Sequence, residues 1–145
     1  MEEEKKPESP KKPAQKPQQN QHTVSEAEEL KNLGNQAYKA KKFEEAISYY
    51  DQAIEKNGDE VLYYNNKAAV YLEMKQLELA MQTVDTALDV YNKGSNKDFV
   101  KLAKLYARKG TVYRHMNDFK SAIQYLDKSM LEDNQYKVKE ELKVV

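Results

Sequence analysis

Lys104 and Arg108 stand four residues apart in the stretch Leu102-Ala103-Lys104-Leu105-Tyr106-Ala107-Arg108-Lys109-Gly110. On an α-helix that spacing puts both side chains on one face, one turn above the other. Two cations held side by side repel unless an anion sits between them. Three more donors of the same kind occur upstream: Lys31 and Asn35, again four apart, and Asn66. Long or amide donors that converge with no acidic residue among them make an anion site, and two neighbouring carboxylates suit them best. Taken singly, each of the five reads as ordinary surface or a satisfied amide, because charge runs are mostly solvated faces. The outcome depends on whether the chain brings the three stretches together.

No other chemistry has its parts. The chain has no cysteine, which excludes disulfides and thiolates, and its two histidines, His22 and His115, lie far apart with no metal-ligand spacing. No Gly-rich phosphate loop follows a strand. Glu44-Glu45 and Glu140-Glu141 read as solvated helix faces, and Tyr49-Tyr50, Tyr63-Tyr64 and Tyr71 as packing rather than a base-stacking surface. Lys plus Arg (24) equals Asp plus Glu (24), which argues against a nucleic-acid binder working by bulk electrostatics. No apolar run approaches the ~20 residues of a membrane span, and Met1-Glu2-Glu3-Glu4-Lys5-Lys6 has no apolar signal core. These features predict a soluble, cytoplasmic binding module, monomeric, without metal, cofactor or catalytic residues.

The elements that must position the donors are helices. All four prolines (Pro7, Pro10, Pro13, Pro17) fall at the N-terminus, and residues 1–22 contain no Val, Ile, Leu, Phe or Tyr. Residues 1–23 therefore read as a disordered Pro/Lys/Gln-rich tail or linker, and 24–145 as the folded domain. Ser25 and Glu28 fit a capping box, the chain breaks at Lys41-Lys42 and again at Asn57-Gly58, Asp59 is placed to cap the next helix, and nothing supports strands. The pattern then repeats. Ala46, Tyr50 and Ala53 recur 34 residues later as Ala80, Val84 and Ala87, and a third copy holds Phe119, Ala122, Leu126 and Ser129. Gly34, Ala68 and Gly110 occupy matching places in the first helix of each pair, where a small residue permits close helix approach. The third copy is offset by 42 residues, eight more than the second. Eight residues are just over two helical turns, and the extra length is expected between Tyr91 and Val100, with Gly94-Ser95-Asn96 as the turn.

A 34-residue helix–turn–helix period, with Leu33-Gly34-Asn35-Gln36-Ala37-Tyr38 and its counterparts, resembles the tetratricopeptide repeat. The family's usual closing proline is missing, replaced by Gly58 and Asn92. The resemblance implies an all-α, right-handed superhelical array of three repeats (about 25–58, 59–93 and 95–133). A capping helix from Asn134 (134–145) would cover the last apolar face. Within the family, Lys31-x-x-x-Asn35, Asn66-Lys67-Ala68-Ala69 and Lys104-x-x-x-Arg108 resemble the carboxylate clamp of co-chaperone domains that hold the Glu-Glu-Val-Asp tails of heat shock proteins. The nearest likeness is to the central, Hsp90-binding domain of organising co-chaperones. It implies peptide-carboxylate contacts from Lys31, Asn35, Asn66, Lys104 and Arg108, with side-chain contacts from Tyr38, Ala69 and Glu73. Lys101 departs from the pattern, since a neutral polar residue is usual there. On the helix it shares the clamp face and would strengthen or broaden acidic binding. The alternatives are the Hsp70 tail, or a repeat domain of an immunophilin, a phosphatase or an import receptor.

Overall fold

The computed structural model describes residues 21–144. Six helices follow one another: α1 (Gln21–Lys39), α2 (Phe43–Lys56), α3 (Val61–Glu73), α4 (Leu77–Lys93), α5 (Phe99–His115) and α6 (Phe119–Val144). No strand occurs among the described residues. Most of the expected tail, residues 1–20, lies outside the described residues. Positions 21–23 are already helical, so Ser25 is inside α1 and does not cap it.

Each helix pair closes on a small residue. A Cβ on Gly34 would lie 2.6 Å from the Tyr50 ring, and one on Gly110 would lie 2.9 Å from Leu126. Ala46, Ala53, Ala68, Ala80 and Ala87 are fully buried on the same seams. The repeated small positions are therefore the crossing points of α1/α2, α3/α4 and α5/α6, as their recurrence predicts.

The turns inside the pairs share a device that residue types alone do not reveal. Lys41, Lys75 and Asn117 all adopt left-handed backbone, with φ of 63°, 63° and 65°. Lys41 N–H donates to the Tyr38 carbonyl and Lys42 N–H to that of Ala37; the same pair of bonds closes α3 at Lys75-Gln76 and α5 at Asn117-Asp118. These are Schellman closures built without glycine. α2 does end at Asn57, as expected, but no glycine among the described residues takes positive φ.

The connections between pairs start differently. α3 is capped by Glu60, whose carboxylate accepts from Leu62 N–H, and not by Asp59, which stands one residue too early. Asp98 caps α5 by accepting from the N–H groups of Val100 and Lys101. The eight extra residues go mostly into helix. α4 has 17 residues against 14 in α2, α5 has 17 against 13 in α3, and only the segment 94–98 forms loop.

Successive repeats are tied by an ion pair in register. Asp51 on α2 meets Lys67 on α3 at 2.7 Å, and Asp85 on α4 meets Lys109 on α5 at 2.8 Å. The C-terminal end departs from expectation in one respect. The capping stretch is helical, but it continues α6 instead of starting a separate helix at Asn134. From Phe119 onward no glycine or proline interrupts the run, so nothing stops the helix. Phe119, Ile123 and Met130 remain exposed along it.

Candidate carboxylate-binding groove

The first helix of each pair, α1, α3 and α5, forms one wall, with α3 touching both neighbours. α1 contributes Lys31, Asn35 and Tyr38; α3 contributes Asn66, Ala69 and Glu73; α5 contributes Lys101, Lys104 and Arg108. Side chains distant in sequence do meet here. Asn66 Nδ2 lies 3.5 Å from Asn35 Oδ1, and the Tyr38 hydroxyl lies 3.5 Å from Glu73. Arg108 on α5 lies within electrostatic reach of Tyr38 on α1. The Tyr38 hydroxyl is pushed above its ordinary value by burial and by Glu73, while the charge of Arg108 pulls it down.

The cations fall into two groups. Lys31 pairs with Glu28 at 2.9 Å, and Lys101 pairs with Glu60 at 2.9 Å. Lys67 and Lys109 are held by the inter-repeat aspartates. Lys104, by contrast, is exposed and has no ion-pair partner among the described residues. Arg108 is half-buried, and its Nε donates to Asn65 Oδ1 at 3.4 Å. No carboxylate reaches it among the described residues, and burial holds it below the usual guanidinium value. A partly desolvated guanidinium with no counter-ion is costly alone and is relieved by an anion. So the unneutralised positive charge of the groove sits on α5, at Lys104 and Arg108.

Four supporting residues were not assigned to the site from sequence, where Glu28 reads as part of a capping box and Tyr50 as packing. Glu28 accepts from the Tyr63 hydroxyl at 2.6 Å and pairs with Lys31, and these two contacts, Tyr63 first, hold its carboxyl below the ordinary value against burial. The Glu28–Lys31 pair has an i, i+3 signature. Glu60 meets Lys101 across 41 residues, which no local pattern announces. Asn65, 7% exposed, braces Arg108 from below. Tyr50 donates its hydroxyl hydrogen bond to Asn35 Oδ1. No cluster of His, Asp and Glu suited to a metal ion occurs among the described residues. No helix among them is long and apolar enough to cross a membrane.

Tetratricopeptide repeat models match residues 27–60 and 59–130. The solved N-terminal domain of stress-induced protein-1 (STI-1) from C. elegans superposes with a TM-score of 0.68 at 36% identity, over 83% of this chain and 98% of that one. The chain belongs to the tetratricopeptide repeat family. Its repeats are similar to those of Hop/STI1 proteins. The TPR2AB domain of yeast Sti1, solved as a complex with pHSP90, has a TM-score of 0.70 at 32% identity, over 82% of this chain and 48% of that one. The Hsp70-Hsp90 organising protein of Plasmodium falciparum (isolate 3D7) is 39% identical over 119 residues, which is 81% of this chain. The tetratricopeptide chain spans about a fifth of that relative's length (21%). Its repeats are a protein-interaction module and not an enzyme.

Proposed function

We propose that this domain is a cytoplasmic, monomeric co-chaperone module that holds the C-terminal Glu-Glu-Val-Asp tail of Hsp90 through a two-carboxylate clamp. The observation that carries the proposal is the pair on α5: exposed Lys104 and half-buried Arg108, neither with a carboxylate partner among the described residues, on the helix next to α3, whose Asn66 amide is linked to that of Asn35. Lys31, Asn35 and Asn66 hold the main-chain carboxylate of the peptide. Lys104 and Arg108 hold the terminal Asp side chain. Tyr38 and Ala69 supply apolar contact to the Val and Met, Glu73 selects the residue upstream, and Lys101, already paired with Glu60, adds general attraction for acid. The relation to an Sti1 domain solved with pHSP90 supports this choice of ligand.

Charge-assisted hydrogen bonds contribute about 1.5–3 kcal/mol each, but ordering a flexible peptide offsets much of the sum. The expected affinity is micromolar, about −8 kcal/mol, and it weakens with salt because the groove is open. Calorimetric titration with a Met-Glu-Glu-Val-Asp peptide and its C-terminal amide tests the clamp: the free acid binds and the amide binds far more weakly. Equal binding of the two would refute it. Competition between the Hsp90 and Hsp70 tails then tests the choice of chaperone, with the Hsp90 tail winning.

A further inference from the structure

Only one end of the Asn35 amide can serve a carboxylate: Nδ2 donates, whereas Oδ1 repels it. Something must therefore set the orientation of that amide. In the notch left by Gly34 lies the Tyr50 ring, 2% exposed and so close that a Cβ on Gly34 would meet Cε1 at 2.6 Å. The notch fixes the ring, and its hydroxyl lands on Asn35 Oδ1 in a short hydrogen bond. Asn66 Nδ2 approaches the same oxygen at 3.5 Å.

A phenol both donates and accepts, so by itself it would tolerate either amide orientation. An amide nitrogen only donates, so with Asn66 turned to present Nδ2, as it does here, Tyr50 and Asn66 together are satisfied by Oδ1 alone. We propose that Tyr50 is a positioning residue of the groove: with Asn66 it occupies Asn35 Oδ1, and so leaves both Nδ2 protons of Asn35 to the terminal carboxylate of the ligand. This rests on the clamp described above. Reversing the amide would set Oδ1 against the ligand and oppose two donors at Asn66.

The other repeats argue that packing does not require the hydroxyl. The position of Tyr50 is held by Val84 in the second repeat, fully buried, and by Leu126 in the third. The position of Asn35 is held there by Ala69 and Thr111. The phenol thus occurs in the one repeat that has an amide at that position. Burial, with Tyr38 adding to it, pushes that phenol up to about 12, so the hydroxyl keeps its proton at neutral pH.

The test is Tyr50→Phe, titrated with the free-acid Met-Glu-Glu-Val-Asp peptide and with its C-terminal amide. Affinity for the free acid is expected to fall about five- to tenfold while that for the amide is unchanged. The double variant Asn35→Ala/Tyr50→Phe is expected to bind no more weakly than Asn35→Ala. Unchanged affinity for the free acid, or an equal loss for both peptides, overturns the proposal and leaves the clamp standing. A wild-type protein that binds acid and amide equally removes the clamp itself. If the variant does not fold, side-chain amide NMR of the wild type decides: the Asn35 NH2 pair should shift with the free acid and not with the amide. An unmoved pair overturns the proposal.

Discussion

Three lysines on α5 differ in what holds them, and alanine substitutions should separate accordingly. Lys104 is exposed and unpaired among the described residues, so Lys104→Ala removes nothing from the unliganded fold. Its effect on stability should stay within about 0.5 kcal/mol. A charge-assisted bond to the ligand contributes about 1.5–3 kcal/mol, and exposure places Lys104 at the low end of that range. The expected loss of peptide affinity is therefore about tenfold. Lys109, five residues on, is the converse. Its side chain is 13% exposed, its Nζ lies 2.8 Å from Asp85, and the same atom sits 4.7 Å from the centre of the Tyr125 ring. Lys109→Ala removes an ion pair, a cation–π contact and a packed aliphatic stem, together about 1–2 kcal/mol. That is a melting temperature lower by about 3–8 °C, with peptide affinity unchanged. Lys101→Ala breaks a pair with Glu60 that also steadies the cap of α3, and should cost about twofold in affinity. Calorimetry and thermal melts on the three variants check the pattern. Equal affinity losses for Lys104→Ala and Lys109→Ala would mean that bulk charge attracts the peptide, and the reasoning would fail.

Gly34→Ala should destabilise by about 1–2 kcal/mol, because over-packing against the fixed Tyr50 ring exceeds the helix-propensity gain of alanine. Gly110→Ala should also destabilise, since the added Cβ would meet Leu126 at 2.9 Å and the Ala122 carbonyl oxygen, which is backbone and cannot rotate away, at 3.1 Å; urea unfolding measures both variants, and a gain in stability for either would contradict the packing account. Lys75→Gly relieves left-handed backbone at φ 63° and should stabilise by about 0.5–1 kcal/mol, more than Asn117→Gly does, because asparagine tolerates that region. Glu28 is held below its ordinary value of 4.5 by the Tyr63 hydroxyl and then by Lys31. The unfolded chain therefore binds its proton more readily than the folded one does. The stability Glu28 contributes is complete above about pH 5 and is lost as pH falls through its lowered folded value. Glu28→Gln should flatten the fall in melting temperature below pH 5; an unchanged slope would assign the acid sensitivity to other carboxylates.

Much of this protein was legible in one dimension because a repeat writes its packing into sequence more than once. Small residues at Gly34, Ala68 and Gly110 recur only if the same helix crossing recurs, and the period then places Lys31, Asn35, Asn66, Lys104 and Arg108 on the first helices of their pairs. Boundaries were less legible. Ser25, Asp59 and Asn134 are all good caps by type, yet helix and cap were decided by neighbours: α1 starts earlier, Glu60 takes over from Asp59, and α6 runs on through Asn134.

Sequence alone therefore determined the all-α repeat architecture and the inventory of donors, because both follow from residue type and period. Which cations are free was a tertiary matter. Lys31, Lys101, Lys104 and Lys109 are the same residue type, and only the approach of Glu28, Glu60 and Asp85 distinguishes the paired from the unpaired. The orientation of the Asn35 amide was decided in the same way, by a phenol from the adjacent helix. Apart from the local Glu28–Lys31 pair, these partnerships depend on distance across the fold, and no spacing along the chain encodes them.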